Sequence, residues 1–339
     1  MHKFIPRLGG TELWLIAVIA VICIALSLTT DTFLTLVNIL DLLNYSAVNV
    51  IFAAGLLVVL VAGGIDISFA VAASVVQYIV ATTLISIGGG NWAMGIGLAI
   101  GFGTLLGAIN AAFIYHFKII SIVVTIATFN IFFGLLMFLT DGVSIYLLPD
   151  WMVDRAVFFE LETRSGWAEL TLPVFVMVVV LLATWLLLRR LNIGRQLFAM
   201  GDNPEAARRL GIGIGKMHYL AYGWLGACAG IAGLMQMHYA QEVVPNAMYG
   251  RELEVLAAVV LGGARLGGGR GTLLGAVLGL ALVAITQNGL NLLGISSYAF
   301  RMIVGAIILI AICMSGDTLD ALRTRLKRTR ATTRHGEAV

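Results

Sequence analysis

The chain has 339 residues, of which 60% are hydrophobic and 12% charged, with 21 Lys plus Arg against 18 Asp plus Glu. A soluble domain carries about 25% charged residues, so this chain cannot cover a water-facing surface, and it is too apolar to be disordered. Three Cys exclude a disulfide scaffold, a net charge of +3 gives no footprint for nucleic acid, and 39 Gly with 5 Pro suit closely packed helices in a membrane.

A helix crosses the hydrocarbon core with about 20 apolar residues. In chain order, the first apolar run is 13–28, preceded by Lys3 and Arg7. Residues 27–32 give no small-x-small cleavage site, so this run reads as an uncleaved first span. Next come 47–62, 66–87, 92–115 and 119–139. A loop follows that carries Asp141, Asp150, Asp154, Glu160, Glu162 and Glu169 against only Arg155 and Arg164. After the run 172–188, the stretch 189–216 holds Arg189, Arg190, Arg195, Arg208, Arg209 and Lys216. The remaining runs are 217–237, 253–263, 272–287 and 298–315, and a basic tail occupies 317–339. The run 253–263 is too short to span alone and reads as re-entrant, or as borrowing the polar residues before it. The expected fold is an all-α polytopic bundle of about ten spans with broken or re-entrant helices, filling 1–316. Ten spans put every basic cluster on one side and the acidic loop on the other. Basic residues mark the cytoplasmic side, which places both termini in the cytoplasm.

Glycine pairs break the apolar sequence twice, at Gly63-Gly64 and at Gly262-Gly263, the second followed by Gly267-Gly268-Gly269-Arg270-Gly271. Irregular backbone at membrane depth is tolerated only inside protein or along a water-filled cavity, and paired interruptions point to a transport route. The hexamer Gly103-Thr104-Leu105-Leu106-Gly107-Ala108 recurs as Gly271-Thr272-Leu273-Leu274-Gly275-Ala276, a hint of internal duplication. Small-x-x-x-small pairs such as Gly103/Gly107 and Gly226/Gly230 read as packing sites. Cys23, Cys228 and Cys313 fall within spans and read as small apolar packers. Asp66 has two readings: a cap for the helix that follows the first break, or an ionisable group on a transport route.

Catalytic equipment is missing. The sequence has no G-x-x-x-x-G-K-[ST] phosphate loop, no G-x-S-x-G elbow, no metal-ligand spacing and no chain of Asp, Glu or His through the spans. A conduit that takes its energy from a partner fits better than an enzyme or a proton-driven carrier. Within 189–216, Asn203 can cap a helix, Pro204 suits its first position, Glu205 opposes the helix dipole and Gly211 can end it. That gives about two turns, with Ala206, Ala207 and Leu210 near one face and Arg208 and Arg209 beside them. Such a helix suits a groove on another protein, or is simply a solvated loop.

Four stretches resemble one known family. Gly63-Gly64-Ile65-Asp66-Ile67-Ser68 is similar to its G-G-I-D-[LI]-S, and Asn110 with Leu139-Thr140-Asp141-Gly142 to its fourth and fifth spans. Residues 201–212 are similar to its G-x-N-x-x-A-A-x-x-x-G-I. Ala257-Ala258-Val259-Val260-Leu261-Gly262-Gly263, residues 267–271 and Asn288-Gly289-Leu290-Asn291-Leu292-Leu293-Gly294 resemble its C-terminal signature. The family is the permease subunits of bacterial ABC importers for monosaccharides of the ribose, xylose, arabinose and galactose type, with autoinducer-2 permeases as relatives. The likeness runs from about Asn38 to about Gly316. Departures stand at Phe69-Ala70, Ile120-Ser121 and Phe132-Phe133-Gly134, and Phe69 is similar to the autoinducer-2 branch.

The resemblance implies a type II ABC importer-like permease that binds no cofactor itself, while a separate cytoplasmic ATPase hydrolyses ATP. It also implies a second permease copy or paralogue and a periplasmic sugar-binding protein. Asn203, Pro204, Glu205, Ala206, Ala207, Arg208 and Gly211 would then form the helix that docks on the ATPase. Candidates for the substrate pathway, near the breaks, are Asn49, Phe52, Asp66, Ser68, Asn288 and Asn291. Arg155, Arg164 and Arg251 are candidates for pairing with the binding protein. A secondary carrier acting alone is the rival reading.

Overall fold

The computed structural model describes residues 9–154, 156–163, 166–296 and 299, 302, 303, 305, 306 and 309. Among the described residues, eight helices are long and apolar enough to cross a membrane. They are α1 (Gly10–Thr29), α2 (Leu36–Val61), α3 (Phe69–Ser86), α4 (Trp92–Phe117), α5 (Ser121–Thr140), α7 (Leu172–Trp185, continued to Arg190 by a π-helical turn), α10 (Ile214–Ala240) and α12 (Leu273–Leu292). Between them lie the short α6 (Asp150–Val153), the hairpin β1 (Val157–Thr163) and β2 (Gly166–Thr171), α8 (Asn192–Asp202), α9 (Pro204–Arg209) and α11 (Arg251–Leu261). The expected span 298–315 and the tail 317–339 fall almost wholly outside the described residues.

Two of the expected runs differ from the observed helices in an instructive way. The run 47–62 is the second half of α2, whose first half carries Asn38, Asp41, Asn44 and Ser46. Those polar side chains mask the span in the sequence, and tertiary partners pair several of them. Asn44 donates from Nδ2 to the Glu169 carbonyl at 2.8 Å and accepts from the Thr171 N–H and hydroxyl at 3.1 and 2.7 Å. Asn38 and Asn288 exchange side-chain amide bonds of 3.1 and 2.8 Å between α2 and α12. The run 253–263 is α11, an 11-residue helix. At 1.5 Å per residue it extends about 16 Å, roughly half the hydrocarbon thickness.

α2 is the central element, with 83% of its apolar window buried against protein, whereas α1 buries 17% and lies at the periphery. Around α2 pack α10, α7, α12, α11 and β2. The most extensive pairing is α4 on α10, and glycine makes it possible. A Cβ at Gly103 would fall 2.1 Å from the Gly226 carbonyl oxygen, one at Gly107 2.1 Å from that of Tyr222, and one at Gly230 1.9 Å from that of Ala99. The two backbones touch directly, as small-residue spacing allows. A second crossing joins α11 and α12, where a Cβ at Gly275 would fall 2.0 Å from the Gly262 carbonyl oxygen and one at Gly279 2.0 Å from that of Ala258. The two like hexamers take unlike places: Gly103 and Thr104 lie inside α4, while Gly271 (φ +153°) precedes α12 and Thr272 caps it. Gly107 and Gly275, the fifth residues of the two hexamers, each pack directly against backbone.

The acidic loop is irregular at its start and ends in a hairpin. Its hairpin pairs Phe159 with Leu170 and Leu161 with Ala168, so apolar residues alternate with Glu160, Glu162 and Glu169. α6 anchors the same end of the bundle: the Trp151 indole donates to the Gly89 carbonyl at 2.9 Å, and His238 Nδ1 lies 2.6 Å from the Met152 carbonyl oxygen. This is the distal end. The proximal end holds the start of α1, the end of α2, the segment α8–α9 and the loop that precedes α12.

Candidate functional site

At the proximal end, three glycine-rich segments meet. α2 ends in a paired-bond cap: the Gly63 N–H donates to the Leu60 carbonyl at 3.0 Å and the Gly64 N–H to that of Val59 at 3.0 Å. α11 ends in the same way, with Gly263 donating to Val260 at 2.9 Å and Ala264 to Val259 at 3.3 Å. Gly63 and Gly263 take φ of +88° and +91°, which the cap requires and which a side chain resists. Both breaks noted in the sequence are thus one local structure used twice.

The end of α8 is wedged between them. A Cβ on Gly201 would fall 1.9 Å from the Val61 carbonyl oxygen and 2.6 Å from the Gly269 nitrogen. One on Gly268 would fall 2.6 Å from the Gly201 oxygen and 2.7 Å from the Gly63 Cα. The Gly269 N–H donates to the Val61 carbonyl at 2.9 Å, tying the loop after α11 to the last turn of α2. α8 itself was not legible as a helix. Its signal is Gly194, Leu197, Met200 and Gly201 at helical spacing, all buried on one face.

α9 follows after one residue, Asn203. Asn203 caps it, its Oδ1 accepting from the Ala206 N–H at 3.0 Å. Pro204 opens the helix, Glu205 lies in its first turn, and Arg208 and Arg209 lie in its last. Gly211 (φ +81°) ends it, donating to Arg208 at 3.0 Å while Ile212 donates to Ala207 at 3.1 Å. The expected common face of Ala206, Ala207 and Leu210 is split. Ala207 is buried, whereas Ala206, Arg208, Arg209 and Leu210 are exposed. The helix turns its second alanine inward because α8 and α10 pack beneath it, leaving Ala206 and Leu210, four residues apart, on the free face.

The six pathway candidates do not converge on one surface. Asp66 and Ser68 are buried together with Asn110 of α4. Asp66 Oδ1 accepts from the Ser68 N–H and hydroxyl, both at 2.7 Å, and Oδ2 accepts from Asn110 Nδ2 at 3.1 Å. Asn110 Nδ2 also donates to the Ser68 hydroxyl at 2.8 Å. Asp66 therefore closes the turn that leads into α3, whose N-cap residue is Ser68. Ser121 serves the same break: its Oγ accepts from the Ile65 N–H at 3.0 Å, a bond that proline at that position could not make. Phe52 is buried against Phe69, with ring centroids 5.1 Å apart at 56°. Asn288 pairs with Asn38 toward the distal end, and Asn291 is exposed near the end of α12. Asn49 stands apart from these, in a narrow cleft between α2, α11 and α12.

Of the docking candidates, Arg251 is half-buried at the start of α11, and its Nη1 donates to Gln236 Oε1 on α10 at 3.1 Å. Arg155 and Arg164 lie outside the described residues.

A family model described as "Branched-chain amino acid transport system / permease component" matches residues 38–312. The ribose import permease protein RbsC of Escherichia coli (strain K12) is 31% identical over 310 residues, covering 87% of this chain and 90% of that protein. RbsC of Bacillus subtilis (strain 168) is 33% identical over 314 residues, covering 93% and 92%. The autoinducer 2 import system permease protein LsrC of Photorhabdus luminescens is 29% identical over 307 residues, covering 88% of each. No solved structure matches. With its apolar helices, its two glycine-capped breaks and this match along most of its length, the chain belongs to the family of transport-system permease components and is a multi-pass membrane protein.

Proposed function

We propose that this chain is the membrane-spanning subunit of an ABC importer that carries a monosaccharide into the cytoplasm, driven by ATP hydrolysis on a separate cytoplasmic subunit. The observation that carries the reading is the proximal junction, where α8–α9 rests on the last turn of α2 and on the loop after α11. A push on the exposed face of α9 reaches both breaks through backbone contacts that have no side chain to yield. In this reading Asn203, Pro204, Glu205, Ala206, Ala207, Arg208 and Gly211 form the coupling helix, with Ala206 on its docking face. The proximal end is cytoplasmic, as are both termini, and the distal hairpin faces the periplasm of a bacterial inner membrane. A second permease copy or paralogue and a periplasmic sugar-binding protein complete the transporter, and the chain binds no nucleotide of its own. A sugar as substrate is supported by the ribose and galactose import permeases among its relatives.

The test is reconstitution in liposomes with the cognate ATPase and binding protein, measuring uptake of labelled ribose, galactose and autoinducer 2. ATP-dependent uptake of a sugar is the expected result. Uptake of autoinducer 2 alone would shift the substrate. Uptake by the chain alone under an ion gradient would replace the importer with a stand-alone carrier.

A further inference from the structure

The cleft that holds Asn49 is lined by Tyr45, Ser46, Glu254 and Gln287, with Leu280, Val283 and Ala284 as its apolar floor. Asn49 lies close to the midpoint of α2, so the cleft sits at membrane depth. Three features there do not suit lipid. Glu254 is an ionisable group that is only part-buried, and Gln287 Nε2 donates to its Oε1 at 2.7 Å. The amide oxygen of Asn49 is buried and has no hydrogen-bond partner. Tyr45 is 54% exposed beside them. A carboxylate at the centre of a bilayer is costly and faces a bundle interior or a water-filled cavity. An orphaned amide oxygen adds a further desolvation cost that a donor from outside the chain would remove.

We infer that Glu254, Gln287 and Asn49 form a hydroxyl-binding station on the water-filled route, on the α2–α11–α12 face of the permease. The inference rests on the importer reading above and adds to it a place and a chemistry. What the station offers is acceptors: the Asn49 amide oxygen and the carboxylate of Glu254, which Gln287 holds in place. Acceptors select a ligand rich in O–H donors, and the negative charge rejects anions such as sugar phosphates. A neutral monosaccharide meets both conditions by presenting one hydroxyl at a time, since the cleft has room for about one water-sized group. The contacts are few, as passage requires, since a ligand held tightly would not leave.

The test reads water and charge directly. In a background carrying Cys23→Ala, Cys228→Ala and Cys313→Ala, Asn49→Cys is exposed to membrane-impermeant methanethiosulfonates, one cationic and one anionic, in reconstituted transporter with and without ATP. We expect labelling at Asn49→Cys, at least tenfold faster with the cationic reagent. That preference should collapse when Glu254→Gln is added. Val179→Cys on the exposed face of α7 should stay unlabelled. No labelling of Asn49→Cys in any nucleotide state, or no charge preference, would overturn the station. In uptake, Glu254→Leu should fall at least tenfold for the transported sugar, with Glu254→Gln recovering much of the loss. Uptake by Glu254→Leu equal to the parent would overturn the station too. If the parent's uptake ignored ATP, the importer reading would fail, and the labelling result would still judge the station.

Discussion

Asp66 shows how a side chain placed as a transport candidate also holds a buried turn together. Its carboxylate collects the Ser68 N–H, the Ser68 hydroxyl and the Asn110 amide within a buried turn. Asp66→Asn keeps an acceptor for the Ser68 N–H, whereas Asp66→Ala removes the acceptor of the Ser68 N–H and hydroxyl and leaves Asn110 only its bond to that hydroxyl. Each buried orphan costs about 1–3 kcal/mol. Thermal melting in detergent should therefore rank parent, Asp66→Asn and Asp66→Ala in that order. An Asp66→Ala protein that melts like the parent yet fails in transport would return the residue to the pathway. Gly201 is the other decisive position. Gly201→Ala forces a methyl group toward the Val61 carbonyl, and overpacking of this kind costs about 1–3 kcal/mol. The expected outcome is a lower melting temperature together with ATP hydrolysis that no longer tracks uptake.

At the scale of elements, the inward turn of Ala207 decides which variants probe coupling. Ala206→Glu places a charge on the free face of α9 without touching the fold. It should leave expression and melting unchanged while uptake per ATP hydrolysed falls at least tenfold, measured in the reconstituted system. Ala207→Glu buries a carboxylate beneath α9 and should instead lower the yield of folded protein. Equal behaviour of the two variants would contradict the observed face. α11 is the complementary case. As a half-length helix it needs protein around it, and it obtains that from α12, α2 and α3.

At the scale of the whole molecule, two glycine crossings set the spacing of the bundle. Gly226→Val at the α4–α10 crossing would drive its side chain into the Gly103 carbonyl, which lies 2.1 Å from a Cβ there. Neither helix can yield, because α10 is packed on α2 and α3 as well. We expect Gly226→Val to fail to reach the membrane in folded form, assayed by monodispersity after extraction. α1 is held more lightly. Glu12 accepts from its own Gly9 N–H at 2.8 Å and from the Thr272 hydroxyl at 2.5 Å, and Thr272 in turn caps α12 by accepting from the Gly275 N–H at 3.0 Å. One carboxylate thus secures two helix starts. Glu12→Ala should lower the melting temperature by a few degrees without changing the substrate.

The sequence alone determined the membrane class, the order of the spans, the two breaks and the cap signals of α9, because each is a local property: hydropathy over some twenty residues, glycine where φ must be positive, Asn-Pro-Glu before a helix. It also marked the candidate pathway residues, apart from the aromatic Phe52, as polar within apolar surroundings. It could not say that β2 pairs Asn44 and that Asn288 pairs Asn38, so half of α2 went unread. Nor could it join Gly201, Gly63 and Gly268, which are far apart along the chain and meet only because missing side chains let three backbones touch. Which polar residues are spent on structure and which stay open to a ligand is a question of partners. Only the packed bundle supplies those partners, to Asp66 and Asn288, and withholds one from the amide oxygen of Asn49.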